Sequence, residues 1–321
     1  MNRKYFLGIA ILLTMTFSGF TQQVYVAGTV GQGQNQRATL WMNGVPQALS
    51  NTESEVTSVY VSGSDVYVAG TVGNNENGSS KATLWKNGVP QTLSNDWSNV
   101  SSVHVSDNDV YVAVNEMRNI EVKLWKNSVS QPINSNTQSE VFSIFVSGSD
   151  VFVAGNTPNI VGQKLLFLAS LWKNGVPQTL SNSGSRADSV FVSGSDVYVA
   201  GTVGGGFFTG DWRNDRATLW KNGVPQTLSN TESYAYFVYV SDSDVYIAGS
   251  IGSRATLWKN GTPQTLSNTE SEASSVFVSG SDVYVAGSVG QRQNQRATLW
   301  KNGIPQTLSD TQSKANSVFV R

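Results

Sequence analysis

Residues 58–93 read SVYVSGSDVYVAGTVGNNENGSSKATLWKNGVPQTL, a stretch that contains four short segments with the composition of β-strands. The first two segments, SVYVS and VYVAG, are rich in β-forming residues and are separated by a Gly-Ser-Asp turn. The last two, ATLWK and VPQTL, flank Asn87-Gly88, a dipeptide that readily adopts the positive φ angles of a tight hairpin. The stretch therefore predicts a four-stranded antiparallel unit.

The same unit recurs along the chain. Its Leu-Trp pair is found seven times, 38 to 48 residues apart, with tryptophan at positions 41, 85, 125, 172, 220, 258 and 300. Four strands in slightly more than 40 residues are typical of one blade of a β-propeller. We therefore predict an all-β fold, a seven-bladed β-propeller with four antiparallel strands per blade.

Proline and the two chain ends predict how the blades are arranged. A proline recurs in the fourth strand of six copies, and proline belongs on an edge strand because it cannot donate to a ladder. The first copy starts with its second strand, Val24–Gly28, and the last segment, Ser317–Val320, resembles an isolated first strand. A linear solenoid is the alternative, but it would need polar caps. We expect the C-terminal strand to complete the N-terminal blade and close the ring.

This arrangement assigns residues 24–49 and 317–320 to blade 1. Blades 2 to 7 are expected to begin near residues 58, 102, 143, 189, 237 and 275. Blade 3 is expected to be the least regular, because Val114 and Ser128 replace two glycines of the unit.

The first 21 residues have the features of a secretory signal peptide. Arg3 and Lys4 precede an apolar run from Tyr5 to Phe17, and small residues follow before Thr21. The run is short for a membrane span, although an uncleaved anchor is the alternative. We therefore predict a signal peptide at residues 1–21, a propeller domain at residues 22–321, and a secreted, periplasmic or cell-surface protein without a membrane span after signal removal.

Composition excludes several classes of function. The chain of 321 residues has 21 basic and 22 acidic residues, so it offers no basic field for nucleic acid. It has no cysteine, which excludes disulfides, thiolate nucleophiles and cysteine-based zinc sites. Its single histidine, His104, occupies a position that is aromatic in the other copies, which favours a structural role over a catalytic one. We predict no catalytic residue, no metal, no cofactor and a monomer.

The repeated segments VYVAG and LWKNGxPQTL give the chain a resemblance to secreted bacterial β-propeller repeat proteins, and the resemblance covers everything after the signal. The chain lacks the Gly-His and Trp-Asp pairs of WD40 repeats and the double glycine of kelch repeats. The resemblance implies the fold and export, and it assigns no catalytic residue.

Two other repeated residues each allow two interpretations. An aspartate recurs in the turn between the first and second strands, and it could bind calcium or hydrogen-bond to its own turn. Calcium needs six to eight oxygens, whereas most copies offer one carboxylate, so the turn interpretation is favoured. The seven tryptophans could bind sugars or fill the core, and their fixed mid-strand position favours the core.

Departures from the repeat identify candidate ligand-binding residues. The loop of blade 5 between its second and third strands contains Phe207, Phe208 and Trp212, and the loop after that blade contains Tyr234 and Tyr236. Most other copies are polar there, so these aromatic side chains are not needed to build a blade. Self-packing of a long loop is the alternative.

Two functions remain open from the sequence. The first is a non-catalytic binding or scaffold protein that recognises a glycan or a protein through these rim residues. The second is a carbohydrate-active hydrolase that uses acidic residues on the same rim, for which Asp211 and Asp215 are the candidates.

Overall fold

The computed structural model describes residues 22–73, 80–118, 121–133, 138–161, 164–204 and 212–321, with only the backbone of Val161, Lys164 and Trp212. In this described part, 28 β-strands form seven four-stranded antiparallel sheets. Three 3-10 helices lie at Gly33–Asn35, Trp212–Asn214 and Arg292–Asn294. The predicted seven-bladed β-propeller is confirmed.

The strands of each blade follow here from the innermost to the outermost. Blade 1 has β28 (Ser313–Val320), β1 (Val24–Val30), β2 (Arg37–Met42) and β3 (Val45–Ala48). Blade 2 has β4 (Ser54–Ser62), β5 (Asp65–Val72), β6 (Lys81–Lys86) and β7 (Val89–Thr92). Blade 3 has β8 (Ser98–Ser106), β9 (Asp109–Glu116), β10 (Glu121–Lys126) and β11 (Val129–Pro132). Blade 4 has β12 (Glu140–Ser147), β13 (Asp150–Val161), β14 (Lys164–Lys173) and β15 (Val176–Thr179).

The remaining three blades continue the same order. Blade 5 has β16 (Ser185–Ser193), β17 (Asp196–Val203), β18 (Arg216–Lys221) and β19 (Val224–Thr227). Blade 6 has β20 (Ser233–Ser241), β21 (Asp244–Ile251), β22 (Arg254–Lys259) and β23 (Thr262–Thr265). Blade 7 has β24 (Ser271–Ser279), β25 (Asp282–Val289), β26 (Arg296–Lys301) and β27 (Ile304–Thr307).

The ring closes as predicted. Strand β28 pairs antiparallel with β1, with Val320 opposite Val24 and Ser313 opposite Val30. Each inner strand contacts the inner strand of the next blade, and β28 contacts both β24 and β4. The outer strands carry the prolines and are exposed. We call one side of the ring the loop face; it carries the connections between blades and the connection between the second and third strands of each blade. The other side, which carries the turns between the first and second and between the third and fourth strands, is the turn face.

The inner strands begin earlier than the sequence pattern predicts. In blade 2 the inner strand starts at Ser54 rather than at residue 58, and its pairing register shifts between Val56 and Ser58. Every blade has a register shift at the same place. Such a β-bulge interrupts the two-residue alternation, so the sequence pattern becomes legible only after it. The sequence pattern therefore predicts a start that is four residues late in six of the inner strands and three residues late in blade 4.

The repeated tryptophans fill the core between blades, as predicted. Six of them are at most 1% exposed: Trp41, Trp85, Trp172, Trp220, Trp258 and Trp300. Trp125 of blade 3 is only partly buried. A Cβ atom on Gly249 would lie 3.0 Å from the Trp258 ring, and blade 3 carries Val114 at the corresponding position. The irregularity of blade 3 therefore concerns this packing, while its strand order is the same as in other blades.

Candidate functional site

Tyr234 and Tyr236 lie in the inner strand of blade 6 and not in the preceding loop. Tyr234 pairs with Ser250, and Tyr236 is the extra residue of the bulge between Ala235 and Phe237. The two tyrosine rings are parallel, with an interplanar angle of 1° and centroids 6.1 Å apart. Both side chains are half-buried at the loop face, so the strand holds them in a fixed orientation.

The bulge determines which side chains face away from the blade core. Ala235 and Val238 are buried, whereas Tyr234, Tyr236, Phe237 and Tyr239 are only partly buried. The backbone of β21 packs closely against the bulge at Gly249. A Cβ atom at this position would overlap the carbonyl oxygen of Tyr234, so this close approach in blade 6 requires glycine. Blade 6 thus presents four aromatic side chains along one inner strand.

A groove of about 460 Å³ adjoins the two tyrosines between blades 6 and 7. Its walls combine the tyrosine rings with hydroxyl, amide and charged side chains: Ser250, Ser253, Glu270, Ser271, Glu272, Ser288, Gln291, Arg292 and Gln295. Aromatic surface with a few convergent polar groups is typical of a ligand-binding site. Only the tyrosines among them are predicted ligand-binding residues, whereas Glu270 and Glu272 belong to a set of glutamates that recurs after the outer strand.

Acidic groups surround the two phenol groups. The Tyr234 hydroxyl donates to Glu232 Oε1 at 3.3 Å, and burial together with the charges of Asp215 and Glu232 raises the Tyr234 pKa. Burial, followed by the charge of Glu272, raises the pKa of Tyr236. Both phenols are therefore neutral hydrogen-bonding groups at physiological pH.

The inner strands of the ring surround a central tunnel. At the inner-strand positions equivalent to Tyr234 and Tyr236, the neighbouring blades carry charged side chains. Lys314 Nζ lies 3.2 Å from Glu272 Oε1 beside the groove. In blade 5, Arg186 pairs with the buried Asp188 at 2.5 Å, and burial raises the Asp188 pKa while the Arg186 charge opposes this. The Arg186 guanidinium also lies 4.3 Å from the centre of the Phe142 ring. These positions differ from blade to blade, unlike the repeated core.

Near the turn face, seven rings form a closed collar around the tunnel: Tyr60, His104, Phe145, Phe191, Tyr239, Phe277 and Phe319. Neighbouring centroids are 4.5–5.0 Å apart. The collar lines a cavity of about 550 Å³, which Phe237 of blade 6 also lines. His104 is buried, and burial lowers its pKa to about 4, partly opposed by a backbone hydrogen bond to Val146. His104 thus packs between Tyr60 and Phe145 as one ring of the collar.

The repeated turn aspartates bind side chains of the outer hairpin, a contact that neither interpretation drawn from the sequence includes. In blade 2, Asp65 accepts a hydrogen bond from Asn87 Nδ2 at 2.8 Å and pairs with Lys86 Nζ at 2.7 Å. The remaining five pairs repeat this geometry: Asp109 with Lys126, Asp150 with Lys173, Asp196 with Lys221, Asp244 with Lys259, and Asp282 with Lys301. Each carboxylate thus ties the inner hairpin to the outer hairpin of its own blade. No group of three or more metal-binding side chains is found in the described ranges.

The other candidates from the sequence are only partly described. Phe207, Phe208 and Asp211 lie outside the described residues. Trp212 starts the 3-10 helix Trp212–Asn214, which leads to the buried Asp215. The structure brings Asp215 close to Tyr234, where its charge acts on the phenol group. Among the residues that the structure describes, none belongs to a helix long and apolar enough to cross a membrane.

Comparison with known proteins supports the fold. No protein-family model and no curated protein matches the chain. A puromycin-hydrolyzing peptidase from Mycobacterium tuberculosis superposes with a TM-score of 0.53 at 11% identity over 76% of this chain and 45% of its own. TolB from Acinetobacter baumannii gives 0.50 at 10% identity over 92% of this chain and 81% of its own. A Pyrococcus horikoshii acylaminoacyl peptidase gives 0.52 at 12% identity over 90% of this chain and 51% of its own.

The chain spans about half the length of these two peptidases and most of the length of TolB. Sequence identities of 10–12% show the fold alone and carry no activity from these proteins to this one. The similarity therefore places the chain among β-propellers.

Proposed function

We propose that the protein is an exported, non-catalytic binding module that recognises a glycan through the groove between blades 6 and 7. The observation that carries the proposal is the parallel pair of Tyr234 and Tyr236 beside that groove. Aromatic rings offer large contact area at low entropic cost, and they are frequent at binding hot spots.

The polar walls of the groove favour a glycan over an apolar ligand. Glu272, Gln291, Gln295 and Arg292 provide planar donor and acceptor groups next to the rings. A sugar ring has one apolar face, which can pack on an aromatic side chain, and hydroxyl groups that match amide and carboxylate partners. A protein ligand remains the alternative binding partner, and a carbohydrate-active hydrolase remains the alternative function.

Export is part of the proposal and rests on residues 1–21 alone. Their basic start, apolar run and small residues support cleavage close to Thr21 and a secreted, periplasmic or cell-surface location. Intact-mass measurement of the protein from its native host tests this. We expect a mass that lacks the first 21 residues or nearly so, whereas a full-length mass that retains Met1 would refute cleavage.

Glycan and peptide arrays probed with residues 22–321 test the binding function. We expect glycan binding that is strongly weakened in the variant Tyr234→Ala/Tyr236→Ala. The matched control is Trp97→Ala, which removes an exposed aromatic residue that does not line this groove. Binding only to peptides would favour the protein ligand, and shortening of a bound glycan, followed by mass spectrometry, would favour the hydrolase.

A further inference from the structure

Two further cavities lie at equivalent places in the ring. One, of about 480 Å³, lies between blades 1 and 2, and the other, of about 470 Å³, lies between blades 6 and 7. We call them junction pockets. All ten residues of the first have counterparts at the same repeat positions in the second: Ala48 and Thr265, Leu49 and Leu266, Ser50 and Ser267, Asn51 and Asn268, Val72 and Val289, Lys81 and Arg296, Thr83 and Thr298, Trp85 and Trp300, Pro90 and Pro305, Thr92 and Thr307.

The chemistry of the junction pocket is amphipathic. Leu49, Val72 and Pro90 provide apolar walls, while Thr92 and Asn51 provide a hydroxyl and an amide. In the part of the chain that the structure describes, the side chains of Asn51 and Thr92 have no hydrogen-bond partner, and the same holds for Asn268 and Thr307. These polar groups are therefore available to a ligand.

The repeat retains the asparagine, although within the described ranges its side chain makes no intramolecular hydrogen bond. It recurs as Asn51, Asn95, Asn182, Asn230 and Asn268 after the outer strand of five blades. The turn asparagines differ, because each of them holds the backbone of its own blade, as when Asn87 Oδ1 accepts from Val66 N–H. Repetition of a side chain without an intramolecular partner is most simply explained by a repeated external partner.

Blade 3 shows what a filled junction pocket looks like. Glu116 and Lys123 replace the valine and the threonine of the pocket, and their charged groups lie 2.7 Å apart. Ser94 Oγ, from the preceding blade, donates to Glu116 Oε1 at 3.2 Å. Between blades 2 and 3, Glu116, Lys123 and Ser94 therefore make polar contacts with one another, whereas the asparagine and the outer-strand threonine of an open junction pocket have no such partners among the described residues.

We propose that the junction pockets are repeated sites for single pyranose rings, which makes the propeller a multivalent saccharide-binding protein. Pocket volumes near 470 Å³ lie within the range of small-molecule sites, roughly 300–1,000 Å³. The apolar walls suit the apolar face of a pyranose, and the amide and hydroxyl groups suit its ring substituents.

The same residues identify two more junctions that carry the site. Blades 4 and 5 combine Asn182, Val203, Thr218 and Pro225, and blades 5 and 6 combine Asn230, Ile251, Thr256 and Pro263. Four junctions therefore have the complete set. This assignment is independent of the tyrosine groove, because only Gly290 lines both the groove and a junction pocket.

Threonine methyl NMR tests each junction separately, because Thr83, Thr218, Thr256 and Thr298 each report on one of them. Residues 22–321 with labelled threonine methyl groups would be titrated to about 50 mM with the methyl glycosides of glucose, galactose, mannose, fucose and N-acetylglucosamine. We expect at least one glycoside to shift all four methyl signals, while Tyr234→Ala/Tyr236→Ala leaves these shifts unchanged.

The control copies the filled junction of blade 3 into blade 7 as Val289→Glu/Thr298→Lys. This variant should abolish the glycoside-dependent shift of Thr307 and keep the shifts of Thr83, Thr218 and Thr256. The absence of shifts with every glycoside, or a Thr307 shift that persists in the filled variant, would overturn the proposal. Undiminished array binding in the tyrosine variant would refute the groove and leave the junction pockets unaffected, so the two proposals fail separately.

Discussion

Lys123 Nζ lies 2.7 Å from the carboxylate of Glu116, at positions where blade 2 carries Thr83 and Val72. The Glu116 side chain is 3% exposed, and a carboxylate buried to this extent needs a partner. Glu116 and Lys123 both depart from the repeat and occur in the same blade, so the charge of Lys123 compensates for the buried charge of Glu116.

This pairing predicts that single and double substitutions in blade 3 have opposite consequences. Lys123→Thr should destabilise the protein by roughly 3 kcal/mol, because it leaves Glu116 buried without its charge partner. Glu116→Val/Lys123→Thr restores the residues of blade 2 and should recover most of that stability. Urea unfolding of the three proteins measures the differences, and equal instability of the single and double variants would contradict the compensation.

The single histidine predicts a second, pH-dependent effect. Burial lowers the pKa of His104 to about 4, below its ordinary 6.5, so the unfolded chain binds a proton between these values that the folded chain does not. Stability should therefore fall as the pH falls from 6.5 to 4, by roughly 3 kcal/mol at most. The variant His104→Phe, which copies Phe145 of the collar, should lack this dependence.

Imidazole NMR of the wild type provides the direct check, because the chain has only one histidine. A measured His104 pKa near 6.5, or equal pH dependence of melting in the wild type and His104→Phe, would refute the burial argument.

The aspartate–lysine pairs titrate at lower pH. The hydrogen bonds from Lys86 and Asn87 lower the pKa of Asp65 below its ordinary value of 3.8. The stabilisation by Asp65 is thus present at neutral pH and lost as the pH falls through its lowered pKa. We expect Asp65→Asn to lower the melting temperature slightly at pH 7, and this difference should shrink as the pH falls below 3.8.

Blade 1 supplies a matched control for these pairs. Met42 occupies the lysine position of this blade. No turn joins its inner strand β28 to β1, so there is no turn aspartate opposite Met42. Met42→Lys should therefore give no stabilisation at pH 7. A melting temperature difference for Asp65→Asn that is undiminished at about pH 2 would show that the ion pair is not its cause.

The repeat made most of the fold predictable. Seven copies of Leu-Trp, the prolines of the outer strand and the segment Ser317–Val320 together predict seven blades and their closure. The start of each inner strand was not predictable, because the bulge at Thr57 and its equivalents interrupts the alternation by which a strand is identified. The sequence pattern therefore predicts a loop at Tyr234 and Tyr236, although both are strand residues.

The candidate site was predictable only where blade 6 departs from the repeat. Tyr234 and Tyr236 stand out in the sequence, whereas Glu272 and Gln291 come from blade 7 and reach the groove through the packing of neighbouring blades. Phe237 could have been found by aligning the copies, because it replaces a serine such as Ser58 at the same position of the inner strand. The junction pockets lie between residues of two blades, so no single copy contains one.

The most direct test of the proposed function exchanges the two tyrosines for the residues of blade 7. Tyr234→Glu/Tyr236→Ser copies Glu272 and Ser274, which are compatible with the same bulged strand. Calorimetric titration with the strongest array glycan should show affinity at least about tenfold weaker than wild type, with a melting temperature within about 2 °C. Unchanged affinity in this folded variant would contradict the assignment of the groove as the binding site.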